Sequence, residues 1–193
     1  MASDTAYKGL DTPRSATVLL ILDMIGRFEF PQGAETARAA TRIAPRIAKL
    51  KRRVSQHGWC TIYVNDNPGR WRSDSSALIR DASAPNSRGA GVMDYLRPSS
   101  DDFLILKPRH SAFYGTPLSV LLEAMHAQRL ILAGVSSHQC VLFTANDAHV
   151  RNLDLVIPSD CISAPRHSQT QLALTYFKNA LGARVAPQAQ WRP

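Results

Sequence analysis

The chain has 193 residues, 45% hydrophobic and 20% charged, a balance that fits one folded unit with a buried core and excludes a disordered chain. No apolar run approaches the ~20 residues that span a bilayer, and the opening Met1–Lys8 stretch lacks the apolar centre of a secretory signal, so a cytoplasmic protein with no membrane partner is expected. A formal charge of +8 raises nucleic acid as a partner, yet the basic residues are scattered or run along one segment (Arg38, Arg42, Arg46, Lys49, Lys51, Arg52, Arg53) without interleaved aromatics, which reads as a solvated basic surface and no nucleic-acid partner.

Along the chain, strand-like and helix-like segments alternate. Ala16–Leu22 is an apolar strand that ends at Asp23. Thr36–Gln56 has helical periodicity, with Pro45 either kinking it or marking a late start, and His57-Gly58 as its stop. Trp59–Val64 is a second strand. Asn65–Pro98 is long and rich in turn formers, with a short helix predicted over Ser75–Ala82. Phe103–Leu106 is a third strand, ending at Lys107, and Pro117–His126 a helix. Arg129–Ala133 is a fourth strand; after Gly134 a helix runs to about Val150. Leu153–Ile157 is a fifth strand stopped by Pro158, Arg166–Leu181 a helix, and Ala183–Ala186 a short sixth strand. This order predicts one domain over residues 1–193, with a core at about 16–186, built as a three-layer α/β/α sandwich around a parallel six-stranded sheet.

In open parallel sheets, sites gather at the C-terminal strand ends. Asp23, Lys107 and Cys140 all fall there. Cys140 opens a helix after Ser136 and Ser137, where the helix dipole and unpaired backbone N–H groups favour a thiolate. Singly, Asp23 could cap a turn, Lys107 could snorkel from an edge, and Cys140 could be an inert buried thiol. At the ends of three strands together, they form a nucleophile with a base and a counter-charge. Cys60 and Cys161 read as structural, and an odd set of three cysteines without a CxxC argues against a disulfide framework.

Three ordered motifs carry a family resemblance. Leu20-Ile21-Leu22-Asp23-Met24-Ile25 with Phe28, Lys107-Pro108-Arg109-His110-Ser111-Ala112-Phe113-Tyr114-Gly115-Thr116, and Gly134-Val135-Ser136-Ser137-His138-Gln139-Cys140-Val141 with Asp147-Ala148 resemble the isochorismatase-like cysteine hydrolases. The resemblance spans about Ala16 to Val185. It implies a Rossmann-like sheet of strand order 3-2-1-4-5-6, a catalytic triad of Asp23, Lys107 and Cys140, a cis peptide at Val135–Ser136, an oxyanion hole from the backbone at Ser136 and Cys140, and a homo-oligomer, dimer or tetramer. Members that cleave isochorismate generally lack the cysteine, so a chain that keeps it resembles the amidohydrolase branch. Nicotinamidases in this group bind a metal through an Asp and two His after the second strand. Here no histidine occurs between His57 and His110, and Asp66 alone makes a weak site, so no metal and no cofactor are expected.

Phe28, Asn67, Trp71, Phe113 and His138 are candidate walls for a small-molecule substrate, with Tyr114 beside them. The expected reaction is hydrolysis of a C–N bond in a small amide, carbamoyl or ureido compound through a thioester on Cys140. An isochorismate-type enol-ether hydrolase and a catalytically silent binding protein are the alternatives.

Overall fold

The computed structural model describes residues 12–67 and 74–191. The predicted alternation is present: β1 (Thr17–Leu22), α1 (Gly33–Gln56), β2 (Cys60–Asp66), α2 (Ser75–Ala82), α3 (Ala90–Leu96), β3 (Phe103–Lys107), α4 (Leu118–Ala124), β4 (Arg129–Val135), α5 (Cys140–His149), β5 (Asp154–Pro158), β6 (Ile162–Ser163), α6 (His167–Asn179) and β7 (Arg184–Ala186). All strand pairs are parallel, in the order β3-β2-β1-β4-β5-β7.

One expectation needs correction. The strand expected sixth is the seventh, because the two-residue β6 pairs with Gly134 and Val135 at the end of β4. β5 meets β4 only along Arg129–Ile131, so the far end of β4 is left for β6 to cover. Two residues are too few to leave a periodic signal. α3 lies in the stretch expected to be mostly loop, and its seven residues are similarly short. Pro45 is neither the start of α1 nor near it, since that helix begins at Gly33.

β1 is apolar on both faces because helices cover both. Its alternation divides the core: Leu19 and Ile21 join Ile131, Ala133 and Val135 of β4 under α1 and α3, whereas Val18, Leu20 and Leu22 join Leu130 and Leu132 under α4, α5 and α6. α1 presents Ala37, Ala40, Ile43, Ala44, Ile47, Leu50 and Val54 at helical spacing to the first face. Each fully buried Leu or Ile here contributes about 1.5–3 kcal/mol.

Gly134 sets how closely the central strands approach. It pairs with Leu22 at φ +117°, and a Cβ there would lie 2.1 Å from the Leu22 carbonyl oxygen. Only glycine fits, and that fit brings the end of β4, and hence the turn into α5, against the end of β1.

Candidate active site at the strand ends

Strand register assembles the centre. Asp66 of β2 pairs with Lys107 of β3, and Leu22 pairs with both Val64 and Gly134, so Asp23 follows β1 between its two neighbours. Asp23 adopts a left-handed backbone (φ 51°), a conformation Asp tolerates better than most residues. Its N–H donates to the Val64 carbonyl at 3.0 Å, and its Oδ1 accepts from the Asp66 N–H at 2.8 Å. The carboxylate is thereby fixed over the sheet edge.

Lys107 is the hub. Its side chain is fully buried, with Nζ 3.0 Å from Asp23 Oδ2 and 3.5 Å from Cys140 Sγ, and it also hydrogen-bonds Asp66 Oδ1. The two carboxylates and the sulfur lie within 4.8 Å of one another. A divalent ion could use the same three ligands, but the ammonium already touches each of them and supplies the cation they need. No histidine belongs to this donor set, so the residues present do not fit the Asp-and-two-His metal site.

The segment after β3 is pinned to α5, the helix that Cys140 opens. Ser111 Oγ donates to the Asp147 carboxylate, and the Ala112 N–H donates to Thr144 Oγ1 at 3.0 Å. Phe113 N–H returns to Ser111 Oγ at 3.2 Å, and Thr116 Oγ1 donates to the Ala112 carbonyl. These bonds explain why Ser111, Thr144 and Asp147 accompany the lysine and the cysteine: they fix one relative to the other.

In the turn before Cys140, the Val135–Ser136 peptide bond is cis. The Ser137 N–H is committed to the Ser163 carbonyl at 2.8 Å, while the Ser136 carbonyl accepts from Gln139 and Val141. Cys140 is the first residue of α5, so its N–H has no acceptor four residues back within that helix.

Charge and burial oppose each other here. Burial, then the Asp23 carboxylate, push the Cys140 thiol well above its ordinary range, and Lys107 pulls the other way. Burial also raises Asp23, with Lys107 lowering it and Asp66 adding to the rise. Burial works against the Lys107 charge, but Asp23, Cys140 and Asp66 outweigh it and hold the ammonium protonated. At neutral pH, therefore, Cys140 rests as a thiol beside the Lys107 ammonium. Asp23 Oδ2 lies 3.0 Å from the ammonium, and the Asp23 carboxyl also interacts with the Cys140 thiol.

The remaining candidates divide. Asn67 follows β2, is buried, and donates its N–H to the Lys107 carbonyl at 3.1 Å. His138 is half-buried on the nucleophile turn, with a buried Nδ1 lacking a hydrogen-bond partner; burial and nearby Arg166 lower its pKa. Phe28 and Phe113 are buried in the two separate core clusters, Phe113 under the Arg151 guanidinium at 4.6 Å. Tyr114 is exposed. Trp71 lies outside the described residues.

Two neighbours went unpredicted as site residues. Asp66 ends the apolar run of β2 as Asp23 ends that of β1, and the same reading would have found it had β2 been extended past Val64. His110 places Nδ1 3.8 Å from Cys140 Sγ and its ring 5.4 Å from that of Phe143. No sequence signal marks it, because the contact depends on the pinning of residues 111–116 to α5.

The chain resembles known proteins over most of its length. The sequence model of the isochorismatase domain matches residues 17–190. YaaI of Bacillus subtilis (strain 168), described as an uncharacterized isochorismatase family protein, is 37% identical over 172 residues, covering 89% of this chain and 94% of its own length. An isochorismatase of the same strain is 30% identical over 165 residues, 82% of this chain and 52% of its own. The crystal structure of N-carbamoylsarcosine amidase from Thermoplasma acidophilum superposes with a TM-score of 0.68 at 27% identity, covering 92% of this chain and 99% of that one. With the domain match running through all seven strands and both ends of the Asp23–Lys107–Cys140 cluster, the chain belongs to the isochorismatase-like hydrolase family.

Proposed function

We propose that this protein is a cysteine hydrolase that cleaves a C–N bond in a small amide, carbamoyl or ureido compound. One observation carries the reading: a single buried ammonium touches both the Asp23 carboxyl and the sulfur at the start of a helix. As the sulfur attacks the substrate carbonyl carbon, Asp23 takes the thiol proton and an S–C bond forms. Lys107 offsets the charge on sulfur while it is a thiolate. The carbonyl oxygen becomes an oxyanion, for which the N–H groups of Cys140 and Ser136 are the proposed donors, each worth about 3 kcal/mol. Asp23 then returns its proton to the departing nitrogen as the C–N bond breaks. Water, deprotonated by the same carboxylate, attacks the thioester and releases the acid and the thiol. Neither step requires a metal.

Enol-ether hydrolysis on an isochorismate-like substrate is the second reading, favoured by the similarity to a Bacillus isochorismatase. It leaves Cys140 without a covalent role. The discriminating experiment incubates the wild type and Cys140→Ala with a panel of small amides and ureido acids and with isochorismate, following turnover and intact mass. The expected result is an acyl adduct on the wild type alone and a loss of about 10⁴-fold or more in kcat/KM for the variant. Undiminished turnover by Cys140→Ala would overturn the covalent mechanism.

A further inference from the structure

A concavity lies away from the cysteine. It is a cleft of about 580 Å³ lined by Ala34, Ala37, Arg38, Thr41, Arg42 and Arg88, and it shares no residue with the Lys107 cluster. Its size is that of a small-molecule site. Most of its lining comes from one face of α1, at helical spacing, and Arg88 closes it from the turn that precedes α3. Thr41 Cγ2 would lie 3.4 Å from a Cβ on Gly91, so the two walls are in close contact at the base.

The lining of the cleft is mostly apolar, and its positive charge stands at the rim, on the exposed Arg38, Arg42 and Arg88. Arg42 donates to Ser163 Oγ at 3.1 Å, and Arg88 donates to the Phe28 carbonyl at 2.9 Å. Both partners are neutral oxygens. They fix the direction of each guanidinium while leaving its positive charge and its other N–H groups available. Arg38 meets Glu35 at 3.4 Å in an exposed contact that holds it weakly. No acidic side chain lines the cleft among the described residues. Ala34, Ala37 and Thr41 line the cleft on the α1 side.

We propose that this cleft binds a small organic anion with at least two negative oxygen-bearing groups on an apolar body, a dicarboxylate being the simplest case. Rim guanidinium groups can match such oxygens bidentately, and the apolar lining accepts the body. A phosphoryl group would meet the same donors by the same chemistry.

Phthalate, benzoate and inorganic pyrophosphate are suitable probes for titration calorimetry at low salt on the full chain. Phthalate is expected to bind at one site per chain, at least tenfold tighter than benzoate. Arg42→Ala and the double variant Arg38→Ala/Arg42→Ala should each weaken it about tenfold or more, with melting temperatures close to wild type because these side chains are exposed. Cys140→Ala should bind it unchanged, which separates this site from the proposed hydrolytic one. Tighter binding of pyrophosphate than of phthalate would overturn the role given to the apolar lining, since pyrophosphate has no apolar body. Absence of binding by phthalate and pyrophosphate overturns the proposal. So does retention of affinity in the double variant, loss of affinity in Cys140→Ala, or an equal loss in Arg52→Ala, which lies on α1 outside the cleft.

Discussion

Replacing Lys107 by Met tests the centre of the site most directly. The methionine roughly preserves side-chain volume and removes one charge that touches three groups. A unit charge 3.5 Å from the Cys140 sulfur contributes about 5 kcal/mol at an effective dielectric constant near 20, or three to four decades of thiolate population. Part of that is returned. Without the ammonium, Asp23 and Asp66 face each other uncompensated, one of them takes up a proton, and the push of Asp23 on the thiol fades. A net slowing of about 100-fold in the reaction of Cys140 with iodoacetamide at neutral pH remains. Stability should fall by about 3 kcal/mol, at the lower end for a broken buried pair, because Asp66 keeps half of its surface in water. The assay follows alkylation by peptide mass, so that Cys60 and Cys161 are scored separately, alongside urea unfolding. Alkylation of a folded Lys107→Met protein at the wild-type rate would refute the role given to the ammonium.

Three further outcomes are expected. Asp66→Asn removes a negative charge that raises both Asp23 and Cys140, so the pH profile of Cys140 alkylation should move to lower pH, by less than about one unit since Asp66 is partly solvated; a shift to higher pH contradicts the charge balance described. Gly134→Ala should cost about 3 kcal/mol or prevent folding, because its Cβ would collide with the Leu22 carbonyl at a positive φ; soluble protein with an unchanged unfolding midpoint would show that the strand ends can separate. His138 has a pKa held below its ordinary 6.5 by burial and by Arg166. Its unfolded form therefore takes up a proton first as pH falls, and the stability present above about 6.5 is lost below it. Urea unfolding at pH 7.5 and pH 5 should show a smaller acid loss for His138→Gln than for the wild type, and identical losses would remove His138 as a source of that dependence.

Asp23, Lys107 and Cys140 were legible because each ends or follows an apolar strand, and a charged or nucleophilic residue at that boundary is a local pattern. The layered fold was legible for the same reason: continuous apolar runs and helical periodicity are written in consecutive residues. That Phe28 and Phe113 fall in separate clusters was not legible, since an aromatic near a motif looks alike on either face of the sheet. Register decides that, and it is a property of strand pairs.

The sequence by itself determined the alternation of strands and helices, the family, and which three residues stand at the strand ends. Only the tertiary structure decided that Asp66 shares the Lys107 ammonium with Asp23, that His110 approaches the sulfur, that β6 completes the end of β4, and that Arg88 closes a cleft on α1. The physical reason is common to all four. Hydrophobic periodicity is a local signal, whereas these contacts join residues that are distant along the chain and meet only when parallel strands pair in one register and α5 is pinned to the segment after β3.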